Sequence, residues 1–185
     1  DVASGTCTAQ VMCDQDEELS GLAALGSTTV LTASIYVGRL RIWDLEQGAC
    51  TAELEGESDI ACILSLAVSP DLRYLVAAGQ DREVWVWDLW AQAQVAELPG
   101  HQTRCSAVAL TPDGQYIVTG EWDSTLRVWR VGAPWELVAT IPPSRAARGQ
   151  VICSLAVSPG GGYLLSGHQD GSVHMWDLTR YLPEA

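Results

Sequence analysis

Short apolar runs alternate with turn residues along most of the chain. Between residues 65 and 100 the order is SLAVS, a Pro70-Asp71 turn, YLVAAG, a turn at Asp81, VWVWDL and a weaker QVAELPG. Runs of β-branched and aromatic residues bounded by Gly, Pro and Asp are strand signals, and successive side chains of a strand point to opposite faces. Three strands are clear in this stretch and a fourth is weaker. No window carries a convincing helical period, so no helix is predicted.

The same order recurs. RLRIWDLEQGAC (39–50), EVWVWDLWAQAQ (83–94), TLRVWRVGAPWE (125–136) and SVHMWDLTRYLP (172–183) align on Trp43, Trp87, Trp129 and Trp176, with spacings of 44, 42 and 47. Upstream of each lies a second match: LTASIYVG, LVAAGQDR, IVTGEWDS and LLSGHQDG. Three copies agree further upstream, as SLAVSPDLRY, AVALTPDGQY and SLAVSPGGGY. The opening DVASGTCTAQV also matches DLEQGACTAEL at 44–54. In a repeat architecture each unit buries its apolar faces only against its neighbours.

On these residues the chain resembles the WD40 repeats of β-propellers, which run ~40–45 residues per four-stranded blade and carry a Trp-Asp signature. Four aligned tryptophans, three of them followed by aspartate, and the upstream matches carry the resemblance over almost the whole chain. It implies an all-β fold of four blades of four-stranded antiparallel sheet. The expected blades span 19–56, 61–99, 104–142 and 150–182, the last without its outer strand, with residues 1–12 as the outer strand of a preceding or closing blade. WD40 rings commonly hold seven or eight blades, so the expected object is an arc of a larger ring. The alternative is a four-blade ring closed through residues 3–12. The opening at Asp1, with no basic-then-apolar leader, fits a piece of a longer protein. An open arc would expose apolar blade faces and invite self-association.

Composition narrows the functional classes. The 185 residues carry a formal net charge of −13, and all ten cations are arginine. Phosphate contacts need clustered cations, so nucleic-acid binding is not expected. No apolar run approaches the ~18 residues of a membrane span. Six cysteines, Cys7, Cys13, Cys50, Cys62, Cys105 and Cys153, form no CxxC pair, and no histidine stands near two of them. They read as buried, reduced thiols of a cytoplasmic protein rather than as zinc ligands. No metal, cofactor or catalytic residue is expected.

His101, Thr119, Asp123 and Trp129 match, position by position, the buried hydrogen-bond tetrad that the resemblance implies. The expected relay runs from the aspartate carboxylate to the imidazole, from there to the hydroxyl, and on to the indole N–H. A hydrolytic triad would need an exposed nucleophile and an oxyanion pocket, so a structural role is expected. Partial tetrads stand at Asp81 and Trp87, with Ala77 in the hydroxyl slot, and at Ser166, Asp170 and Trp176. The first unit offers Trp43 alone, with Val37 in the aspartate slot. His168 lies beside its turn rather than in the tetrad slot. Only one blade should therefore be fully pinned. Trp85 is expected to pack between blades, in the slot held elsewhere by Arg41, Arg127 and His174.

Function in such folds lives on loops. Tyr36, Gln80, Trp122 and Gln169 precede the turn positions on one end face, where WD40 proteins often meet partners. Residues 14–18 (DQDEE) and 55–59 (EGESD) make part of that face acidic, while IPPSRAARG (141–149) adds Arg145 and Arg148. Trp122 is the leading candidate for a binding hot spot. Trp90, in a turn on the opposite face, is the second. The expected function is a non-catalytic scaffold for a protein or peptide, with a basic segment as its partner. The alternative is a regulatory or sensor module of a larger enzyme, of ATPase or ubiquitin-ligase type, with its catalytic part outside this chain.

Overall fold

A computed structural model describes residues 7, 9–13, 18–34, 38–54, 62–145 and 147–183. Alternation and turn chemistry produce four antiparallel sheets in it. Blade 1 contains Leu19–Ala24 (β1), Thr29–Ser34 (β2), Leu40–Asp44 (β3) and Ala49–Leu54 (β4). Blade 2 contains Ile63–Val68 (β5), Tyr74–Gly79 (β6), Val84–Asp88 (β7) and Ala93–Glu97 (β8). Blade 3 contains Cys105–Leu110 (β9), Tyr116–Glu121 (β10), Leu126–Arg130 (β11) and Leu137–Ile141 (β12). Blade 4 contains Ile152–Val157 (β13), Tyr163–His168 (β14) and Val173–Asp177 (β15), followed by a short 3₁₀ turn, Leu178–Arg180. In every sheet the strands follow one another in chain order. The fold is that of WD40-type propeller blades arranged as an arc. Among the described residues no helix is long and apolar enough to cross a membrane.

Recurring side chains hold the turns. Between β5 and β6, Ser69 Oγ accepts from the Tyr74 amide at 2.8 Å and donates to Asp71 Oδ1 at 2.5 Å. Thr111 and Asp113 repeat this arrangement between β9 and β10. The third position of this turn is left-handed in all three copies, with φ of 58° at Leu72, 69° at Gly114 and 74° at Gly161. Glycine adopts that conformation freely, and Leu72 does so at a cost. The aspartate of the Trp-Asp signature has its own task. Asp88 Oδ1 accepts from the Trp90 and Ala91 amides, and Asp44 Oδ1 from the Glu46 and Gln47 amides. Asp44 and Asp88 thus close the turns leading to β4 and β8, while Asp177 caps the 3₁₀ turn after β15. Arg130 stands in this slot in blade 3, where a longer turn ends with the Arg130 amide donating to the Glu136 carbonyl.

The core lies between blades rather than within them. Leu31, Leu40 and Ile42 of blade 1 pack with Leu75, Trp85 and Trp87 of blade 2. Val76, Val84 and Val86 of blade 2 meet Val108, Ile117 and Trp129 of blade 3. Val118, Leu126 and Val128 of blade 3 meet Ile152 and Leu164 of blade 4. Each inner strand therefore presents one side to the preceding blade and the other to the following one. This alternation explains the tryptophan cluster of β7: Trp85 and Trp87, two residues apart, share the side facing blade 1.

Two assignments need correction. The first unit does not offer Trp43 alone: its indole donates to Thr32 Oγ1 at 2.9 Å, inside the blade. Thr32 faces Arg41 as Thr119 faces Arg127, so it fills the hydroxyl slot. An extra residue between Thr32 and Trp43 shifted the sequence alignment there. Nor are the cysteines all buried, since Cys7, Cys50 and Cys153 are exposed. His168 does stand beside its turn, as expected, but its contact was not foreseen. It lies on the same side of β14 as Ser166, and Ser166 Oγ stands 2.8 Å from His168 Nε2.

Candidate functional site

The end face of blades 2 and 3 is built from β6 and β10 and the residues that enter each blade. In blades 2, 3 and 4 the residue after the second strand makes a backbone hydrogen bond to the chain entering the first strand. Gln80 N donates to the Cys62 carbonyl, Trp122 N to Arg104 and Gln169 N to Val151. The residue ahead of each turn is thereby anchored, with its side chain at the rim. Between blades 2 and 3 these rims enclose an open cleft of about 490 Å³ lined by Gln80, Asp81, Arg82, Thr103, Arg104, Trp122 and Asp123. Trp122 is 39% exposed, and the Arg104 guanidinium lies 4.7 Å from its ring centroid.

Beneath the cleft lies the blade 3 network. His101 Nε2 is 3.0 Å from Thr119 Oγ1, and the Trp129 indole N–H reaches the same oxygen at a longer 3.4 Å. The Asp123 carboxylate accepts from the Thr125 amide, and His101 Nδ1 is buried without a hydrogen-bond partner. The expected aspartate-to-imidazole link is therefore open in this structure. Burial holds the imidazole pKa down at about 4, assisted by Arg127 and opposed by Glu121. The ring is neutral at pH 7. Thr119 is wholly buried, so its hydroxyl cannot reach a substrate. In blade 4, Trp176 donates to Ser166 Oγ at 2.9 Å, and His168 completes the chain from within its own strand. Burial, then the neighbouring His174, lowers the pKa of His168. Asp170 accepts from the Ser172 amide.

Sequence reasoning overlooked Glu121. It is fully buried, and it accepts from Arg127 Nε at 2.6 Å and from the Gln102 and Thr103 amides at 2.8 and 2.9 Å. A buried carboxylate persists only when paired and hydrogen-bonded in this way. Glu121 thus fixes the 102–104 stretch, and with it the Arg104 wall of the cleft. A charged residue ending the apolar run YIVTG was the available signal. Arg82, Thr103 and Arg104 carried no such mark.

The other candidates are dispersed. Gln169, Arg145 and Arg148 are exposed but do not line the cleft. Ser124 Oγ donates to the Ala147 and Gln150 carbonyls, which ties the 147–150 turn to blade 3. Tyr36, Val37, residues 14–17 and residues 55–59 lie outside the described residues. Trp90 is 70% exposed in the turn after β7, and the Arg73 guanidinium lies 5.3 Å from its ring. Arg73 also pairs with Asp88 at 3.1 Å. The Ala91 amide, then Arg73, holds the Asp88 carboxyl below its usual range.

The family described as WD domain, G-beta repeat matches residues 48–88, 92–130 and 135–177, more than half of the chain. The chain belongs to the WD40 family. The first matched stretch, 48–88, covers β4 of one blade and β5 to β7 of the next, so this WD40 repeat straddles two sheets. The chain is 30% identical over 121 residues to Protein groucho of Drosophila melanogaster, covering 65% of this chain and 17% of that protein. It is 31% identical over 127 residues to Transducin-like enhancer protein 2 of Mus musculus, covering 68% and 17%. It is 37% identical over 89 residues to Guanine nucleotide-binding protein subunit beta-5b of Danio rerio, covering 48% and 22%. The chain thus spans only about a fifth of the length of these WD40 relatives.

Proposed function

We propose that this WD40 arc is a non-catalytic scaffold, and that the cleft between blades 2 and 3 docks an extended segment of a partner protein. The observation that carries this reading is Trp122, a partly exposed indole on an anchored strand end, stacked by Arg104 within the cleft. A large aromatic held at a rigid turn loses little rotamer freedom on binding, and tryptophan and arginine are enriched at binding hot spots. An apolar anchor of the partner would lie on Trp122 as Arg104 swings aside. Asp81 and Asp123 line the cleft, and the sequence at 55–59 is acidic. Those charges favour a basic segment and act mainly on the rate of encounter. Among the relatives are a guanine nucleotide-binding protein subunit and a transducin-like enhancer protein. A cytoplasmic or nuclear setting fits this reading.

The test is selection of peptides from a displayed random library, followed by affinity measurement. The selected peptides should be basic with one apolar anchor. Trp122→Ala should weaken them by ~1–2 kcal/mol or more, mainly through faster dissociation. Neutralising residues 55–59 should slow association and flatten its salt dependence. Unchanged affinity in Trp122→Ala would move the site elsewhere, with the Trp90–Arg73 surface the next to examine.

A further inference from the structure

The turn after the second strand has the same backbone in blades 2, 3 and 4, so the repeat supplies its own control. Arg82, Ser124 and Gly171 stand two residues after Gln80, Trp122 and Gln169, and each is left-handed, with φ of 67°, 70° and 84°. Glycine takes that conformation freely, whereas a larger residue bears a cost. Ser124 offsets it: the residue is buried, and its hydroxyl reaches the Ala147 and Gln150 carbonyls of the chain entering blade 4. Arg82 has no such tie. It is exposed, and its guanidinium has neither a hydrogen bond nor an ion pair among the described residues. Thr103 and Arg104 stand before β9 as Gln150 and Val151 stand before β13, and with Arg82 they line the open cleft. Charge singles out the same place. Ten arginines are set against a formal net charge of −13. Six of them pair with Asp or Glu carboxylates at 2.6–3.9 Å. Arg82 and Arg104 have no such pair among the described residues, and both line one cleft.

We infer that Arg82 and Arg104 form an anion subsite of the cleft, and that it takes one aspartate or glutamate carboxylate of the docked segment. Resting on the docking role proposed above, this subsite makes the segment basic overall yet acidic at one residue beside its apolar anchor. Docking itself creates the need. The Arg104 guanidinium lies 4.7 Å from the Trp122 ring centroid, where the apolar anchor is to lie. Displaced from the ring, the guanidinium loses its cation–π partner and needs an anion in its place. A carboxylate meets a guanidinium through two parallel hydrogen bonds, which fixes orientation as well as charge. Glu121 keeps Arg104 at the cleft by accepting from the Gln102 and Thr103 amides just before it. Asp81 and Asp123 line the same cleft, and Asp123 Oδ1 is already engaged by the Thr125 amide. These two aspartates attract the cations of the segment, and they also decide which anion fits. They repel a singly charged carboxylate less than a phosphate group, which carries about −1.5 to −2 charges at pH 7.

A displayed random peptide library is the probe, selected in parallel on the 185-residue chain and on its Arg82→Gln variant. Arg82 is exposed, so the variant should fold as the parent does, and circular dichroism checks this. Sequences recovered on the parent should carry an aspartate or glutamate close to the apolar anchor. Those recovered on Arg82→Gln should keep the anchor and the cations but lose the acid. One peptide recovered on the parent is then synthesised with glutamate, glutamine or phosphoserine at the acidic position. Glutamine should weaken binding to the parent about tenfold, as expected for a lost charge-assisted pair. The same change should matter much less to Arg82→Gln and to Arg104→Gln. Equal binding of the glutamate and glutamine peptides, with Trp122→Ala still weakening both, overturns the subsite and leaves the docking role standing. Recovery of no sequence, or binding indifferent to Trp122→Ala, overturns both. Tighter binding of phosphoserine than of glutamate overturns the assignment to a carboxylate.

Discussion

In blade 2, Ala77 and Gly79 leave a hollow and Trp85 fills it; in blade 3, Thr119 and Glu121 stand at those positions and Arg127 faces them. The two arrangements exclude one another. A Cβ on Gly79 would lie 2.6 Å from Trp85 Cζ3, so any side chain there would displace the indole. Blade 4 has a third solution, His168 against His174 with ring centroids 4.6 Å apart. The apolar arrangement adds stability in proportion to the area it buries and needs no partner. The polar arrangement contributes less net stability, because desolvating Glu121 and Arg127 offsets much of their attraction. It gains order instead. Glu121 holds the Gln102 and Thr103 amides, and those residues lead to Arg104 beside Trp122. The blade with the buried charge is therefore the one that shapes the cleft.

The strongest way to break this comparison is to remove each filler. Trp85→Ala should cost ~3–5 kcal/mol in chemical denaturation, as expected for an emptied aromatic site. Glu121→Ala should cost a similar ~3–5 kcal/mol, by leaving the half-buried Arg127 and the Gln102 and Thr103 amides without their acceptor. Only Glu121→Ala should also loosen Arg104 from Trp122, read as a change in indole fluorescence. If Trp85→Ala changes that signal equally, the cleft does not depend on the polar arrangement.

Acid sharpens the contrast. An unfolded histidine titrates near 6.5, whereas folded His101 titrates at about 4. The unfolded state takes up the proton first, so stability is full above about pH 6.5 and falls as the pH drops towards 4. The loss from this group approaches ~3 kcal/mol at one pKa unit per ~1.4 kcal/mol. His168 is shifted in the same direction and adds to the slope. His101→Ala should flatten part of this dependence in urea titrations at pH 7 and pH 4.5. A stability that does not change with pH over that interval would contradict the buried neutral ring.

At pH 7 the same His101→Ala change should cost ~1–3 kcal/mol, by leaving the Thr119 hydroxyl and Trp129 indole short of a partner. A variant as stable as the parent would show that the blade 3 network contributes order but no stability. The smallest effect is expected for Arg130→Asp, which restores the Trp-Asp dipeptide in blade 3. The turn after β11 is longer and closed by a backbone bond to Glu136, so the new carboxylate has no short turn to cap. A change within ~0.5 kcal/mol is expected in thermal unfolding, the usual size for an exposed substitution.

The strands were legible because each repeat restates the same alternation and the same turn residues. Trp43, Trp87, Trp129 and Trp176 do fall on the third strand of successive sheets. The hydrogen-bond partners were less legible, because they follow side-chain reach rather than alignment. Thr32 was missed since one extra residue precedes Trp43, and the contact of His168 with Ser166 since a residue two positions along a strand returns to the same face. Gln80 and Trp122 could be placed at one rim from their turn positions. Arg104 could not, because its position against the indole depends on Glu121, whose pairing spans distant parts of the sequence.

Every strand among the described residues is hydrogen-bonded to a sequence neighbour. Folding speed follows how far along the chain contacting residues lie, and such meanders keep most pairings local. Strand pairing within a blade can therefore begin early, but each sheet buries its apolar faces only when a neighbouring blade docks on it. The slower events should be the dockings of blade on blade, which bring together residues about one repeat apart. Rapid-mixing refolding should then show β-structure appearing before the tryptophans at the blade junctions lose contact with water.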